Sequence, residues 1–232
     1  GHHCLALVLA LPSSEVDARS RSTGTAQDGK LVDGFKLPLT GAVHAFAGPV
    51  RGRGHQFATL EAAALIARAA QTVEAAAPGA PLVLGDCSAE GGGSIPRHTS
   101  HQSGRDLDLL FYVVDDKRRS VPSPGFVSFD GKGRCTSDGC SLRLDVARTW
   151  WMVRTILASQ RPAAQYLFVS KPIKRLLLAY ARRNQEHPAL LRRAQRVLHQ
   201  PSDAPDHDDH LHLRIYCDAG DREAGCLDTG PQ

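Results

Sequence analysis

The stretch DHDDHLHLRIYC near the C-terminus concentrates residue types that bind metals and transfer protons. Three histidines and three aspartates lie between Asp206 and His212, although the whole chain has only 11 histidines. Side chains two positions apart on a strand point to the same face, so HLHLRIY would place His210, His212 and Arg214 together. The intervening apolar residues take the other face. The pattern predicts a strand with one face in the core and two imidazoles side by side on the other.

A second segment, SHQSGRDLDLLFYV, offers ligands in the same arrangement. Its alternation puts Asp106 and Asp108 on one face of a strand and leucines on the other, and His101 precedes that strand. Two histidines and a carboxylate that leave one position free are what a catalytic zinc ion requires, because the free position holds a water with a pKa of about 7. Either segment alone is a weak signal, since same-face histidines also occur on wetted surfaces. Together they predict a zinc site.

Composition narrows the class of protein. The chain has 232 residues, of which 42% are hydrophobic and 22% charged, and these proportions suit one compact domain with a substantial core. A net charge of +4 and a pI near 8.8 are mildly basic. This excess is far below the clustered positive charge of a dedicated nucleic-acid-binding protein, so no nucleic-acid partner is expected.

The N-terminus resembles part of an export signal. The apolar run from Leu5 to Leu11 is too short to span a bilayer but is typical of the hydrophobic part of a secretory signal, and Ala18 lies near a plausible cleavage point. We interpret residues 1–19 as a signal-peptide remnant or a disordered leader, and residues 20–232 as a single domain. The mature protein is expected to begin near Ser20 and to have no stable insertion in a membrane.

Two local pairs of cysteines favour an oxidising compartment, because short loops in turn-rich segments can be closed by disulfides. The pairs are Cys135 with Cys140 and Cys217 with Cys226. Cys87 has no local partner and would be a buried free thiol, unless Cys4 is retained and pairs with it.

The remaining elements are predicted from periodicity and from residues that end helices. A strong helical pattern begins at about Thr59 and is ended by Pro78 and Gly79, and the stretch APLVLGDCS that follows predicts a short strand. A glycine-rich loop then leads to the second segment. Further helices are predicted over roughly 145–159, 171–185 and 188–199, after a long polar loop over 115–141.

Taken together, SHQSGRDLDL and DHDDHLHLRIYC closely resemble the paired signatures of the penicillin-insensitive murein endopeptidases, which are zinc metallopeptidases of the LAS group. The stretches LVDGFKLP, PLVLGDCS, LDVARTWWMVRTIL and YLFVSKPIKRLLLAYA are similar to that family as well, so the likeness covers roughly Gly29 to the C-terminus. The resemblance implies an α+β fold of the hedgehog/D-Ala-D-Ala-peptidase type. In that fold, helices flank a small central antiparallel sheet that bears the ligands.

The resemblance also implies roles for six residues. By position, His101, Asp108 and His212 match the zinc ligands, His210 matches the catalytic base, and His207 and His98 match further histidines that line the site. The HExxH glutamate of other zinc peptidases is absent from the sequence, so a histidine must act as the base. One of three aspartates, Asp206, Asp208 or Asp209, could orient an imidazole through its second nitrogen.

The activity that the resemblance implies is periplasmic hydrolysis of the D-alanyl-meso-diaminopimelyl cross-link, with peptidoglycan peptide stems as the partner and Zn²⁺ as the cofactor. Two alternatives stay open. One is a D,D-carboxypeptidase or D-Ala-D-Ala dipeptidase on the same scaffold, and the other is a non-catalytic, zinc-stabilised module that binds the cell wall. Long loops near 86–100 and 115–141 favour a cleft for a branched polymer, and His210 beside a complete ligand set argues against loss of chemistry.

Other polar residues receive structural interpretations at this stage. Gly104 is expected to serve a backbone turn, and Arg105 and Asp106 are expected to support the ligands rather than to be ligands. The histidines without a partner pattern are interpreted as solvated or core residues; they are His44, His55, His187 and His199.

Overall fold

The computed structural model describes residues 20–202 and 204–229 of the chain; residues 1–19, with Cys4 and the expected leader, lie outside the described part. The helices are α1 (Leu60–Ala76), α2 (Val146–Ala158), α3 (Lys171–Arg183), α4 (Pro188–Val197) and α5 (Ala219–Glu223), and a 3-10 helix spans Gly48–Val50. The strands are β1 (Arg21–Gly24), β2 (Gly29–Val32), β3 (Phe35–Lys36), β4 (His44–Phe46), β5 (Phe57–Ala58), β6 (Leu82–Leu84), β7 (Asp106–Leu110), β8 (Val113–Val114), β9 (Ser120–Val121), β10 (Arg143–Leu144), β11 (Ala164–Phe168), β12 (Leu198–His199) and β13 (His210–Ile215).

Six strands form a central sheet in the order β12-β11-β13-β7-β6-β4. The neighbours from β11 through β13 and β7 to β6 are antiparallel, whereas the outer pairs, β12 with β11 and β6 with β4, are parallel. The chain passes from β11 through α3 and α4 before it returns as β12, and such a helical crossover brings a strand back in the same direction. The predicted α+β class is confirmed, but the sheet is larger than predicted and antiparallel only in its middle.

Strands β7 and β13 pair at the centre of this sheet and set the polar residues opposite one another. His212 faces Asp108 and Arg214 faces Asp106 across the pair, and leucines oppose leucines in the positions between them. The predicted alternation of both segments is therefore present. All five residues of β7 are buried, so its polar face is also enclosed. Enclosure makes a carboxylate without a partner costly.

The helices begin and end close to the predicted positions. α1 follows Thr59, whose side-chain oxygen accepts a hydrogen bond from the backbone of the first turn, and it ends shortly before Pro78. It packs against α2, which Asp145 caps in the same way. Leu198 and His199, predicted as the end of the last helix, form β12 instead because they pair with β11. None of the helices in residues 20–202 and 204–229 has the length and apolar character needed to span a bilayer.

The C-terminal segment is tied to the beginning of the described chain. Both predicted disulfides are present, and Cys87 is a buried free thiol. The bond between Cys217 and Cys226 holds the last residues beside β1, where the backbone N–H of Leu227 donates to the carbonyl of Gly24. The buried Arg105 guanidinium reinforces this junction, because it donates to the carbonyls at the ends of β13 and of this segment.

We expect the double substitution Cys217→Ala with Cys226→Ala to lower the free energy of unfolding by about 2 to 3 kcal/mol. Without the bond the unfolded chain gains conformational entropy, by an amount set by the size of the loop. The bond joins residues with a sequence separation of 9. Urea unfolding of the oxidised proteins measures the loss. In a background of Cys135→Ala with Cys140→Ala, a reducing agent should produce the same loss, since this is then the one disulfide left among the described residues. An unchanged unfolding midpoint in both experiments would contradict a stabilising role.

Candidate metal centre

The loop between β6 and β7 turns sharply and brings the His101 ring close to Asp108 on β7. His101 itself adopts a positive φ of 68°, which is uncommon for a residue with a Cβ. Gly104 follows with a φ of 77°, and a Cβ at that position would come within 2.6 Å of the Leu31 side chain. The glycine is therefore required by the turn, as the sequence predicted, and the strained backbone places His101 at the site.

The His101 imidazole is held in one tautomer by the backbone. Its Nδ1 lies 3.0 Å from the carbonyl oxygen of Cys87, which can only accept, so Nδ1 carries a proton and Nε2 is the nitrogen left for a second proton or a metal ion. That Nε2 is 3.3 Å from Oδ1 of Asp108, another acceptor. Only a proton or a metal ion can lie favourably between these two atoms.

Asp108 is the centre of the cluster. It is 0% exposed, and its Oδ1 lies 3.2 Å from Nε2 of His210 and 3.7 Å from Nδ1 of His212. These approaches are not aligned as hydrogen bonds: both carboxylate oxygens, like Nε2 of His101, have no hydrogen-bond partner within the described residues. Burial raises the pKa of Asp108, but the charges of His101 and His210 hold it well below its usual range. The result is a buried, ionised carboxylate whose acceptor positions are available.

The His212 ring is presented in the form that binds metals. Its Nε2 donates to Oδ1 of Asp106 at 2.6 Å, which leaves Nδ1 directed toward Asp108. Burial and the nearby charge of His101 lower the pKa of His212 to about 3, so the ring is a neutral imidazole at physiological pH. Asp106 also accepts from Nε of Arg214 at 2.7 Å. The predicted supporting role of Asp106 corresponds to these two contacts.

His210 lies beside the same carboxylate in a different electrostatic environment. Its Nδ1 donates to Oδ1 of Asp209 at 2.6 Å. Burial disfavours the charged ring, but Asp108 and Asp209 together raise the pKa of His210 to about 10. Of the three aspartates that could orient an imidazole, Asp209 is the one in contact; the side chain of Asp206 accepts from Gln200 and that of Asp208 accepts from Ser128.

The two remaining histidines lie at the edges of this cluster. The ring centroid of His207 is 4.9 Å from that of His210, and the centroid of His98 is 4.3 Å from that of His101. Candidate ligand atoms lie within 4.8 Å of one another in two groups, which are His98 with His101 and Asp108, and His207 with His210 and His212. The structure thus brings all six predicted residues together.

Comparison with known protein families identifies the class of protein. The family model described as penicillin-insensitive murein endopeptidase matches residues 22–231. The chain belongs to this family. No curated protein gives a significant match. The resemblance inferred from the two motifs is confirmed, and the cluster described above lies in a member of a peptidase family that acts on murein.

A buried acid that sequence reasoning missed lies next to the cluster of this murein peptidase. Asp86 is almost fully buried and interacts with Arg53 at 2.6 Å, His55 at 3.0 Å and Nε2 of His98 at 3.1 Å. Burial raises the pKa of Asp86, but the hydrogen bonds from His98 and His55 and the charge of Arg53 outweigh it, so the pKa is lowered. His55, interpreted from sequence as solvated or core, is in fact one of these partners. The sequence gives little signal for it, because the contact joins two separate loops.

The histidines open into a groove of about 300 Å³ at the surface of the murein peptidase. Four of them line it, His98, His207, His210 and His212, together with Gln27, Arg97, Thr99, Phe168, Asp206, Asp209 and Arg214. The Phe168 ring packs edge-on against His212 at a centroid distance of 5.2 Å. The groove therefore offers a bound chain both polar contacts and an apolar contact beside the histidines.

We expect Asp106→Ala to lower the free energy of unfolding by about 3 to 5 kcal/mol, because it leaves Arg214 buried without its carboxylate. Asp106→Asn keeps an acceptor for His212, so it should fold better yet weaken zinc binding by about 10- to 100-fold, the usual effect of changing a group that orients a ligand. Denaturant unfolding and zinc titration measure the two effects. Asp116→Ala, at an exposed aspartate that has no hydrogen bond or ion pair with the described residues, is the control and should alter neither. Full stability and full zinc affinity in both Asp106 variants would contradict the assignment.

Proposed function

We propose that the protein is a zinc-dependent murein endopeptidase that hydrolyses the D-alanyl-meso-diaminopimelyl cross-link between peptide stems in the periplasm. The observation that carries this proposal is the buried carboxylate of Asp108, whose two oxygens have no hydrogen-bond partner in the described residues while imidazole nitrogens surround them. Membership of the murein endopeptidase family supplies the class of substrate.

The residues fit a zinc ion by their chemistry. His101, Asp108 and His212 offer two imidazole nitrogens and one carboxylate, which is a ligand set used by catalytic zinc. The ring nitrogen of each histidine that does not face Asp108 is already engaged, by the Cys87 carbonyl and by Asp106. Such contacts fix the tautomer and orientation of a ligand before the ion binds. These three residues would hold the metal.

His210 is the residue that moves the proton. When bound, zinc supplies a water of lowered pKa and a positive charge that offsets Asp108 and lowers the pKa of His210, so that this ring can act as a base. His210 then accepts the water proton at Nε2 as the scissile carbonyl is attacked, and it delivers that proton to the leaving amine. Asp209, bonded to Nδ1, keeps the ring oriented and stabilises its charged form.

His207 has a different role in the proposed hydrolysis. Burial and the neighbouring charge of His210 lower its pKa, so it is a neutral ring in the groove. Its Nδ1 is engaged by the carbonyl of Pro205, which leaves Nε2 as an acceptor. His207 is therefore suited to accept a hydrogen bond from a substrate amide, and it is the second choice for the base.

A digest of purified cross-linked muropeptides distinguishes the endopeptidase from its alternatives. We expect mass spectrometry to show that cross-linked dimers disappear and that monomers bearing a terminal D-alanine accumulate. Release of D-alanine or of its dipeptide from monomers would instead indicate the carboxypeptidase or dipeptidase. Binding without any cleavage would indicate a cell-wall module.

Two single substitutions should distinguish the zinc ligand from the general base. Wild-type protein is expected to hold about one zinc per chain, because the ligand set is complete but single. His212→Ala should lose zinc and activity together, since it removes a donor to the ion. His210→Ala should retain zinc while turnover falls about 100-fold or more, the usual effect of a lost general base. Metal analysis and turnover of cross-linked dimers, measured on the same samples, test both.

The control for these substitutions is His187→Ala, which changes the N-terminal cap of α4 outside the groove and should leave zinc content and turnover unchanged. Loss of the metal from His210→Ala, or near-normal turnover in that variant, would show that the two roles are wrongly assigned. His207→Ala would then be the variant to measure next.

A further inference from the structure

Arg97 occupies a backbone conformation that an arginine adopts at a cost. It follows Pro96 in a turn closed by the backbone N–H of His98 and the carbonyl of Ile95. Its φ is +70°, in the left-handed region. Turns with proline in the second position normally have glycine in the third when a positive φ is required there, because a Cβ is disfavoured in that region. The fold alone would favour glycine at position 97.

Nothing in the described part of the chain compensates this cost at Arg97. His101, four positions later, also has a positive φ, but its ring is fixed at the centre of the site. The Arg97 side chain is exposed and has no hydrogen bond or ion pair with the described residues. An arginine that lines a groove and has no internal partner is available to bind a ligand there. The side chain of Arg97 is therefore a candidate for binding a ligand.

The place of Arg97 in the groove indicates what that ligand is. Two arginines of the described residues line the groove, and the second, Arg214, is only 2% exposed, is bonded to Asp106 and stacks on Phe168 at 5.3 Å. The other charged side chains along the groove include the acids Asp206 and Asp209, which repel anions. A negatively charged ligand would therefore be accepted beside Arg97 rather than elsewhere in the groove.

The substrate class of the proposed function provides such a group. In a D-alanyl-diaminopimelyl cross-link, the acylated nitrogen sits on a carbon that also bears a free carboxylate. A guanidinium binds a carboxylate through two parallel N–H···O bonds, which fixes both position and orientation. We propose that Arg97 binds this carboxylate on the leaving side of the scissile bond and thereby selects cross-links whose diaminopimelyl centre is a free acid. This inference rests on the proposed endopeptidase function.

The test compares two synthetic cross-linked peptides that differ only at this group, one with the free carboxylate and one with its carboxamide. Wild-type enzyme should cleave the carboxylate form with a kcat/KM about tenfold higher, mainly through a lower KM, which is the scale of one hydrogen bond to a charged group. Arg97→Gln should lose this preference and cleave both peptides at the rate that wild type shows for the carboxamide. A preference that is unchanged in Arg97→Gln would overturn the proposal.

Two further variants separate recognition from structure. Arg97→Gly removes both the side chain and the backbone strain, so it should lose the preference without a fall in melting temperature. Arg118→Gln is the matched control, because Arg118 is also an exposed arginine with a positive φ, of 63°, but lies outside the groove. It should keep the full preference. Loss of the preference in Arg118→Gln as well would show a general effect of charge and would contradict a subsite at Arg97.

Failure of the endopeptidase function would give a different result. If wild type cleaves neither peptide, isothermal titration calorimetry still tests the subsite at Arg97. The ligand for this measurement is an uncross-linked stem peptide with a free diaminopimelyl carboxylate. Binding to wild type about tenfold tighter than to Arg97→Gln would support the subsite while the proposed reaction fails. Equal binding to both would overturn the subsite as well.

Discussion

The pairing of β7 with β13 is the constraint on which the rest of the structure depends. Its register sets Asp108 opposite His212 and Asp106 opposite Arg214, and it sends the intervening leucines to the other face. A shift of one residue would exchange the two faces of a strand, so a carboxylate would enter the apolar core and a leucine would enter the site. The hydrophobic core therefore enforces the geometry of the ligands, even though no ligand belongs to it.

Two neighbouring histidines beside the same buried carboxylate have pKa values shifted in opposite directions. His210 has Asp108 on one nitrogen and Asp209 on the other, and its pKa is raised to about 10. Burial and the charge of His101 disfavour the protonated form of His212, and its pKa is lowered to about 3. Two rings on one face of one strand thus acquire different chemistry from the charged groups that surround each of them. A metal ligand must be neutral, whereas a general base must take up a proton and then release it, so a weakly basic ring at His212 and a more basic ring at His210 suit the two proposed roles.

Local patterns in the sequence predicted much of this arrangement, but they could not predict contacts between segments that are distant in the sequence. Alternation predicted β7 and β13 because one face of each packs on the core, and Thr59 and Pro78 marked the limits of α1 because capping and termination are local. Strand β11 was not predicted, since it depends on pairing with β13. Five of the six candidate site residues lie in the two motifs, His98 lies just before the first of them, and the role of each was implied by the family resemblance. The contact of Asp86 with His55 joins separate loops and has no spacing that a motif could show. Asp209 could not be chosen among three neighbouring aspartates, because the choice is made by side-chain direction.

The clustering of histidines near the C-terminus has a consequence for how the chain folds in the presence of metal. His207, His210 and His212 are close along the chain, so the unfolded polypeptide already offers several imidazoles to an ion. His101 and Asp108 join them only after β7 and β13 have paired. An ion captured early by the local histidines stabilises the unfolded state as well, and this reduces the net stabilisation that the metal confers on the native state. For the proposed zinc ion the order of events would therefore matter: folding before loading would place the ion between the strands, whereas loading first would create a competing complex that must exchange ligands as the sheet forms.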